Sequence, residues 1–239
     1  MERTLSIVVP VHNEAEFLPI GLVDLMKVVD AVDHRAEIIL VENGSTDGTA
    51  ETARRIGGAR VKVISLDQPD YGEAMRAGFL AAKGLWVVNF DIDYFSERFL
   101  RRVRATEGAQ VVIGSKRDPA SEDLRPPIRR LATAVFNLLL HTILNSRVSD
   151  THGMKGFHRT VIDEMVPRVE SRRDLFDTEL VIRAERAGYK IVEVPVIVEE
   201  LRQARSSLIQ RVPRTIRGLF QIRAALAAAE RQQRAEPGE

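Results

Sequence analysis

The chain lacks cysteine altogether, which excludes disulfide bonds and thiolate metal sites and is compatible with a cytosolic protein. It also lacks any apolar run near the roughly 20 residues that a membrane-spanning helix needs. A strand pattern starts at residue 5 without a basic and apolar leader before it, so we expect no secretory signal. A large excess of one charge is missing too, because the net charge is +1 over 239 residues.

The composition supports a single large core with a well-solvated surface. Apolar residues make up 44% of the chain and charged residues 29%. These values and the length suit one α/β domain or a domain with an appendage. We place the domain at residues 1–210 and a basic C-terminal helix with a polar tail at 211–239.

Strand and helix patterns alternate through the first half of the chain. Strands are predicted at 5–11, 37–41, 61–66, 85–90 and 110–114, and helices at 17–32, 49–56, 73–83 and 99–104. The strands are almost continuously apolar and β-branched, as in sheets that are covered on both faces. The fold class is therefore α/β, with a mainly parallel sheet and helices on both faces.

Polar, sharply turning segments follow four of the predicted strands. Asp91-Ile92-Asp93 comes directly after an apolar strand, and Asn43-Gly44-Ser45 follows another. Ligands of such sheets bind at the carboxyl ends of the strands, and an Asp-x-Asp pair there is suited to a divalent cation beside a diphosphate. The alternative for Asp91 and Asp93 is a solvated turn before a helix, and Asn-Gly-Ser is also ordinary turn chemistry.

These segments resemble the motifs of family 2 glycosyltransferases with the GT-A fold, a Rossmann-like fold. The first-half matches are Val9-Pro10-Val11-His12-Asn13-Glu14, the run from Val41 to Thr49, Asp91-Ile92-Asp93 and Gly114-Ser115-Lys116. Ser149-Asp150-Thr151, Lys155-Gly156-Phe157, Phe176-Asp177-Thr178-Glu179 and Glu193-Val194-Pro195-Val196 are similar to the branch that contains dolichol-phosphate mannosyltransferases and glucosyltransferases. The resemblance covers residues 4 to 210.

The resemblance implies roles for individual residues. Asp91 and Asp93 would hold Mg²⁺ or Mn²⁺, and together with Asp177 they form the implied catalytic set. The implied nucleotide-sugar site consists of Pro10, Val11, Asn13, Glu14, Glu42, Ser45, Asp91, Ile92, Lys116, Glu179 and Arg205.

Three positions depart from the family pattern. Glu42, implied to accept hydrogen bonds from the base, stands where the family usually has Asp. Lys116 replaces the usual Arg of the mannosyltransferases, so the cation near the phosphates is no longer bidentate. The Asp150 segment is about one residue shorter than usual.

Asp177 and Glu179 stand at the start of a helical pattern and are suited to binding sugar hydroxyls. An alcohol acceptor would need a general base, for which Asp177 is the candidate, whereas a phosphate acceptor is already anionic at neutral pH. The alternative is that both are first-turn acids favoured by the helix dipole.

Two stretches of the chain are basic and contain no acidic residue, namely 124–149 and 201–229. The first encloses the apolar segment 131–144, which is too short to span a bilayer and suits a buried or interfacial helix. In the resembling enzymes an Arg-Arg pair followed by a hydroxyl residue contacts the acceptor phosphate, and Arg129, Arg130 and Thr133 match that pattern. The alternatives are a core helix for 131–144 and a solvated helix face for the C-terminal arginines. Few aromatic residues interleave with the arginines, so no nucleic-acid partner is expected.

We therefore expect an inverting, metal-dependent transferase that moves a hexose from a GDP- or UDP-sugar to a polyprenyl or dolichyl phosphate. It would be cytoplasmic, with peripheral contact at the cytoplasmic face of a membrane. One alternative is the same donor chemistry with a soluble acceptor. The other is a non-catalytic nucleotide-sugar binding module. The base, the sugar, the acceptor and the oligomeric state are left open by the sequence.

Overall fold

The computed structural model describes residues 5–198 and 208–235. Its strands are β1 (Leu5–Val11), β2 (Glu37–Asn43), β3 (Val61–Leu66), β4 (Trp86–Asn89), β5 (Val111–Ser115), β6 (Glu122–Asp123), β7 (Lys155–His158), β8 (Ile191–Pro195) and β9 (Ile197–Val198). Its helices are α1 (Leu18–Asp33), α2 (Thr49–Gly57), α3 (Tyr71–Ala81), α4 (Glu97–Ala105), α5 (Pro127–Leu144), α6 (Arg159–Met165), α7 (Phe176–Arg186) and α8 (Leu208–Ala235). The five predicted strands and four predicted helices are all present, within a few residues of their expected ends.

Seven strands form one sheet in the order β3-β2-β1-β4-β7-β5-β8. All neighbouring pairs are parallel except those of β7, which runs antiparallel to both β4 and β5. The expected α/β fold with a mainly parallel sheet is confirmed. The antiparallel β7 was not predicted, because a four-residue strand that contains a lysine and a glycine carries little apolar pattern. A separate parallel pair joins β6 to β9.

Each face of the sheet is covered by helices, because alternate side chains of the apolar strands point to opposite faces. Helices α1, α2 and α4 pack on one face, where Ile7, Val9 and Phe90 are fully buried. Helices α3, α6 and α7 pack on the other, against Val8, Val87 and Phe157. Because β1, β2 and β4 run parallel, their carboxyl ends meet at one edge of the sheet, as the sequence predicted.

Helices α5 and α8 pack together beside α7 and form a smaller apolar cluster. Leu140 and Leu144 of α5 are buried there against Leu219, Ile222 and Leu226 of α8. The predicted domain boundary at residue 210 falls inside α8, one face of which is part of this cluster. Among the helices of the described residues, none combines the length and apolar content needed to cross a membrane.

Candidate active site

The loops after β1 and β2 are tied to each other by side-chain hydrogen bonds. The backbone N–H of Asn13 donates to Ser45 Oγ at 2.9 Å, and Thr46 N–H donates to Asn13 Oδ1 at 2.9 Å. Glu14 N–H donates to Thr49 Oγ1 at 2.8 Å. Asn13 has a φ of 53°, a left-handed conformation that asparagine tolerates better than most residues. The reciprocal bonds hold both loops in one arrangement at the sheet edge.

The residues expected near the base and ribose are brought together by these loops. Glu42, at the end of β2, is almost fully buried and accepts a hydrogen bond from Ser45 N–H through one carboxylate oxygen. Pro10 is half-buried at the end of β1. Val11 and Ile92 bury their side chains in the core, so only their backbone groups face the edge.

Asp91 and Asp93 lie at the end of β4, where Asp91 is exposed to the cleft and Asp93 is half-buried. The surrounding protein displaces water at the cleft floor and, together with the charge of Asp93, raises the pKa of Asp91 to about 6. A cation would relieve this repulsion. In the described ranges no group of three or more acidic or histidine side chains is arranged to hold a metal by itself. Two carboxylates completed by substrate phosphates are a common arrangement for Mg²⁺, so this pair fits such an ion.

Lys116 is held inside the site by an ion pair that the sequence did not predict. Its Nζ lies 2.8 Å from Asp150 Oδ2 and donates to the carbonyl of His152 at 2.6 Å. Gly153 makes this possible, since its φ is 105° and a Cβ there would come within 3.0 Å of Lys116 Nζ. Burial lowers the pKa of Lys116 and the neighbouring Asp150 opposes that change. The cation is therefore partly neutralised by protein groups.

Asp177, in the first turn of α7, faces the same cleft. Its Oδ2 accepts a hydrogen bond from the Tyr71 hydroxyl at 2.9 Å and lies 3.1 Å from Lys155 Nζ. Burial and the Asp177 carboxylate raise the pKa of Tyr71 well above its usual value, so this hydroxyl stays protonated and donates. The charges of Asp177 and Lys155 also act on Asp91. Asp177 thus belongs to the same charge cluster as the Asp91 and Asp93 pair.

Glu179 is placed differently from the expectation that it binds a sugar hydroxyl. It is fully buried, 2.6 Å from Arg183, and accepts hydrogen bonds from the backbone N–H groups of Glu170 and Ser171. Both carboxylate oxygens are therefore used by protein groups. We correct the assignment, because this carboxylate fixes the segment before α7 and is closed to a ligand.

Arg129, Arg130 and Thr133 lie in the first two turns of α5. Thr133 Oγ1 accepts a hydrogen bond from Arg125 at 3.2 Å and donates to the carbonyl of Arg129 at 3.1 Å. Further along α5, the ring of Phe136 meets the edge of His152 at a centroid distance of 4.5 Å. This contact joins α5 to the loop that holds Lys116.

The outer side of α5 carries an apolar stripe, formed by Ile128, Leu131, Val135 and Leu138. These side chains are 63%, 59%, 49% and 62% exposed, and their spacing of three and four places them on one helix face. The opposite face, with Leu140, is core. The two alternatives for 131–144, buried or interfacial, therefore each apply to one face of the helix.

The remaining basic residues fall into two groups. Arg205, expected in the nucleotide-sugar site, and Arg202 lie outside the described residues. On α8, Arg214 lies 2.7 Å from Asp174 and so forms an ion pair with the segment before α7, while Arg217 and Arg223 are exposed. The α8 arginines thus include both a structural contact and a solvated face.

Comparison with known proteins agrees with this geometry. The model of glycosyl transferase family 2 matches residues 6–166. The chain belongs to this family. The enzyme class expected from the sequence, a family 2 glycosyltransferase, is thereby confirmed.

Two relatives of this family 2 glycosyltransferase come from Haloferax volcanii. The dolichyl-phosphate hexose transferase is 30% identical over 203 residues, which are 82% of this chain and 83% of the relative. The glycosyltransferase AglD is 28% identical over 219 residues, 87% of this chain. This chain spans only 35% of the length of AglD.

A solved structure with the same fold is glucosyl-3-phosphoglycerate synthase from Mycobacterium tuberculosis, in complex with Mn²⁺, UDP and glucosyl-3-phosphoglycerate. The TM-score is 0.66 and the identity 23%, with 95% of this chain and 79% of that chain covered. The likeness supports the GT-A fold predicted from the motifs.

Sequence reasoning did not assign a role to Tyr71, Lys155 or Asn89, although Tyr71 and Lys155 contact Asp177 and Asn89 lies opposite Lys155 in the sheet. Lys155 had one usable signal, because it stands in the Lys155-Gly156-Phe157 motif that resembles the family. Tyr71 carried no such signal, because its partner Asp177 lies 106 residues away in the sequence.

Proposed function

We propose that this family 2 glycosyltransferase is a Mg²⁺- or Mn²⁺-dependent, inverting hexosyltransferase with a nucleotide-diphosphate sugar as its donor. The observation that carries the proposal is the Asp91 and Asp93 pair at the carboxyl edge of the sheet. Burial and the charge of Asp93 raise the pKa of Asp91, and a cation between the two carboxylates would relieve their repulsion. A divalent ion there would neutralise the diphosphate and make it a better leaving group.

The protein groups would divide the remaining work between binding and positioning. The tied loops after β1 and β2 would hold the base and ribose, with Glu42 accepting hydrogen bonds from the base. Asp177 would accept a hydrogen bond from the transferred sugar. An acceptor phosphate oxygen would attack the anomeric carbon as the bond to the diphosphate breaks, which inverts that centre. Because a phosphate monoester is already anionic at neutral pH, no general base is required.

We further propose a polyprenyl phosphate as the acceptor. The dolichyl-phosphate hexose transferase similar to this chain supports a lipid-phosphate acceptor. The guanidinium groups of Arg129 and Arg130 at the start of α5 would pair with the phosphate. The exposed apolar stripe on the same helix would lie along the lipid tail or the membrane interface. Residues 124–149 contain no acidic side chain to oppose an anionic surface.

A soluble phosphorylated acceptor is the second candidate, and one cavity favours it. A cavity of about 520 Å³ lies between α8 and the segment before α7, and its lining includes the acidic residues Glu170, Asp174 and Glu179 as well as arginines. Arg172 and Arg173 line it, and within the described part of the chain neither guanidinium has an ion-pair partner. Two arginines without an ion-pair partner among the described residues are suited to a small anionic acceptor.

A donor screen followed by an acceptor comparison tests both proposals. Thermal shift with UDP-glucose, GDP-mannose and related donors, with and without Mn²⁺, should show metal-dependent stabilisation by one of them, since stabilisation grows with ligand concentration over Kd. Transfer from that donor is then measured to a polyprenyl phosphate and to a small phosphorylated hydroxy acid.

The variants separate the two acceptors. With a lipid phosphate, the Arg129→Ala and Arg130→Ala double variant loses transfer while the Arg172→Ala and Arg173→Ala double variant retains it. The reverse result, with better turnover of the soluble acceptor, supports the cavity. If no nucleotide sugar stabilises the protein with Mn²⁺, the proposed donor chemistry fails.

A further inference from the structure

A buried polar cluster lies on the sheet face that packs against α3 and α7. Its member on β4, Asn89, stands two residues before Asp91. Asn89 of β4 and Lys155 of β7 are directly opposite each other in the antiparallel register. Both side chains lie on this face, because Val87 and Phe157, two residues along each strand, belong to its core. Asn89 and Lys155 are therefore neighbours on the covered side of the sheet.

Lys155 is fully buried, which is unusual for a lysine unless its charge is paired. Its ammonium group donates to the carbonyl of Gly153 and lies 3.1 Å from Asp177 Oδ2. The Tyr71 hydroxyl donates to the same oxygen at 2.9 Å. One oxygen of Asp177 thus receives two donors from the protein, and the orientation of the carboxylate is fixed by them.

The other oxygen, Asp177 Oδ1, is buried and has no hydrogen-bond partner in the described structure. Asn89 Oδ1 is in the same condition. Leaving a buried acceptor unpaired costs free energy, and native structures contain few of them. The side chain of Asp177 is 9% exposed, and its charge acts on Asp91, which is exposed after β4. Both oxygens need a donor that the protein does not supply.

The chemistry of the cluster decides which part of a nucleotide sugar can supply that donor. A diphosphate has only acceptor oxygens at neutral pH and would be repelled by Asp177. A divalent cation would be repelled by the Lys155 ammonium next to it. A sugar hydroxyl is neutral and donates a hydrogen bond, so it fits beside both charges.

We propose that Tyr71 and Lys155 are positioning residues for the donor sugar. They hold Asp177 by Oδ2 and leave Oδ1, together with Asn89 Oδ1, to accept hydrogen bonds from hydroxyls of the transferred hexose. The inference rests on the proposed donor chemistry and adds a site for the sugar ring itself. It also predicts that these residues act on the sugar and leave the nucleotide unaffected.

Calorimetry with the free nucleoside diphosphate and with its sugar conjugate, both with Mn²⁺, tests this. The pair used is UDP and UDP-glucose or GDP and GDP-mannose, whichever wild-type protein binds. Tyr71→Phe should weaken binding of the sugar nucleotide about tenfold or more, as expected for one lost hydrogen bond to a charged group. Affinity for the free diphosphate should be unchanged, and kcat should fall without a change in the KM for the acceptor.

Lys155→Met is the second variant and should act on the sugar nucleotide in the same way and more strongly. Tyr189→Phe, a half-buried tyrosine in the turn before β8, is the matched control and should change neither affinity. Equal loss for diphosphate and sugar nucleotide in Tyr71→Phe, or no loss for either, overturns the inference and makes the cluster structural. Failure of wild-type protein to bind the free diphosphate with Mn²⁺ overturns the proposed function instead.

Discussion

The strand-end edge and the outer face of α5 differ in how their side chains are satisfied. At the edge, the loops after β1 and β2 bond to each other, and Lys116 and Lys155 pair with carboxylates. On the outer face of α5, four large apolar side chains are about half exposed or more. The edge is thus organised before a ligand binds, whereas the α5 face has no protein partner among the described residues. The difference suits a site for a small donor beside a surface for a larger acceptor.

Removing one carboxylate of the edge should have the largest effect. Asp93→Asn should lower transfer by about 100-fold or more, because the charge on the leaving diphosphate would lose its counter-ion. The fold should be kept, since Asp93 is only half-buried. Initial rates with saturating Mn²⁺ measure this, and Asp24→Asn on the exposed side of α1 is the control. Normal rates in Asp93→Asn, or full activity in EDTA, would exclude the metal role.

The base pocket should respond less strongly. Glu42→Ala should weaken binding of the free nucleoside diphosphate by about 1–3 kcal/mol, the usual loss when a hydrogen-bonding partner is left unpaired. Glu42→Gln keeps the acceptor oxygen for Ser45 N–H and should lose less. Calorimetry compares the two variants, and unchanged affinity in Glu42→Ala would move the base pocket elsewhere.

The arginines beside the α5 face should affect the acceptor alone. Replacing Arg129 and Arg130 by Ala should raise the KM for polyprenyl phosphate about 100-fold or more, because each charge-assisted contact contributes about 1.5–3 kcal/mol. Donor affinity should not change. Arg147→Ala, an exposed arginine just after α5, is the matched control. An equal rise in the KM for the donor would show that these arginines do not act on the acceptor alone.

The two faces of α5 should separate membrane contact from stability. Leu131→Ser with Leu138→Ser should reduce sedimentation with anionic liposomes several-fold and leave the melting temperature unchanged, because both leucines are already exposed. Leu140→Ala should do the reverse, costing about 2–5 kcal/mol of unfolding free energy through a core cavity. If the double serine variant sediments like wild type, the stripe is not a membrane contact.

The smallest expected effect is on stability and follows from the pKa of Asp91. The folded value of about 6 lies above the ordinary 3.8, so the folded chain binds the proton more tightly. The resulting penalty is present above pH 6 and disappears as the pH falls towards 4. In EDTA, Asp91→Asn should therefore melt above wild type at pH 7.5, with a smaller difference at pH 5. A constant difference across this range would contradict the raised pKa.

Local patterns predicted much of the fold. The β-branched run at residues 5–11 and its counterparts could only form strands buried on both faces, and their boundaries agree with the structure. β7 was missed, because its lysine is stabilised by Asp177, far away in the sequence. Glu179 was assigned to a ligand although its partner Arg183 is only one helical turn away, because the sequence does not show that this face of α7 is buried.

The sequence by itself determined the α/β alternation, the polar strand ends and the family motifs, because each depends on residues close together in the chain. Only the tertiary structure decided which charges remain available to a ligand. The Lys116 ammonium pairs with Asp150, and the Arg214 guanidinium pairs with Asp174. An ion pair depends on a separation of a few ångströms between side chains. Segments far apart in the sequence reach that separation only when the sheet and its helices are packed.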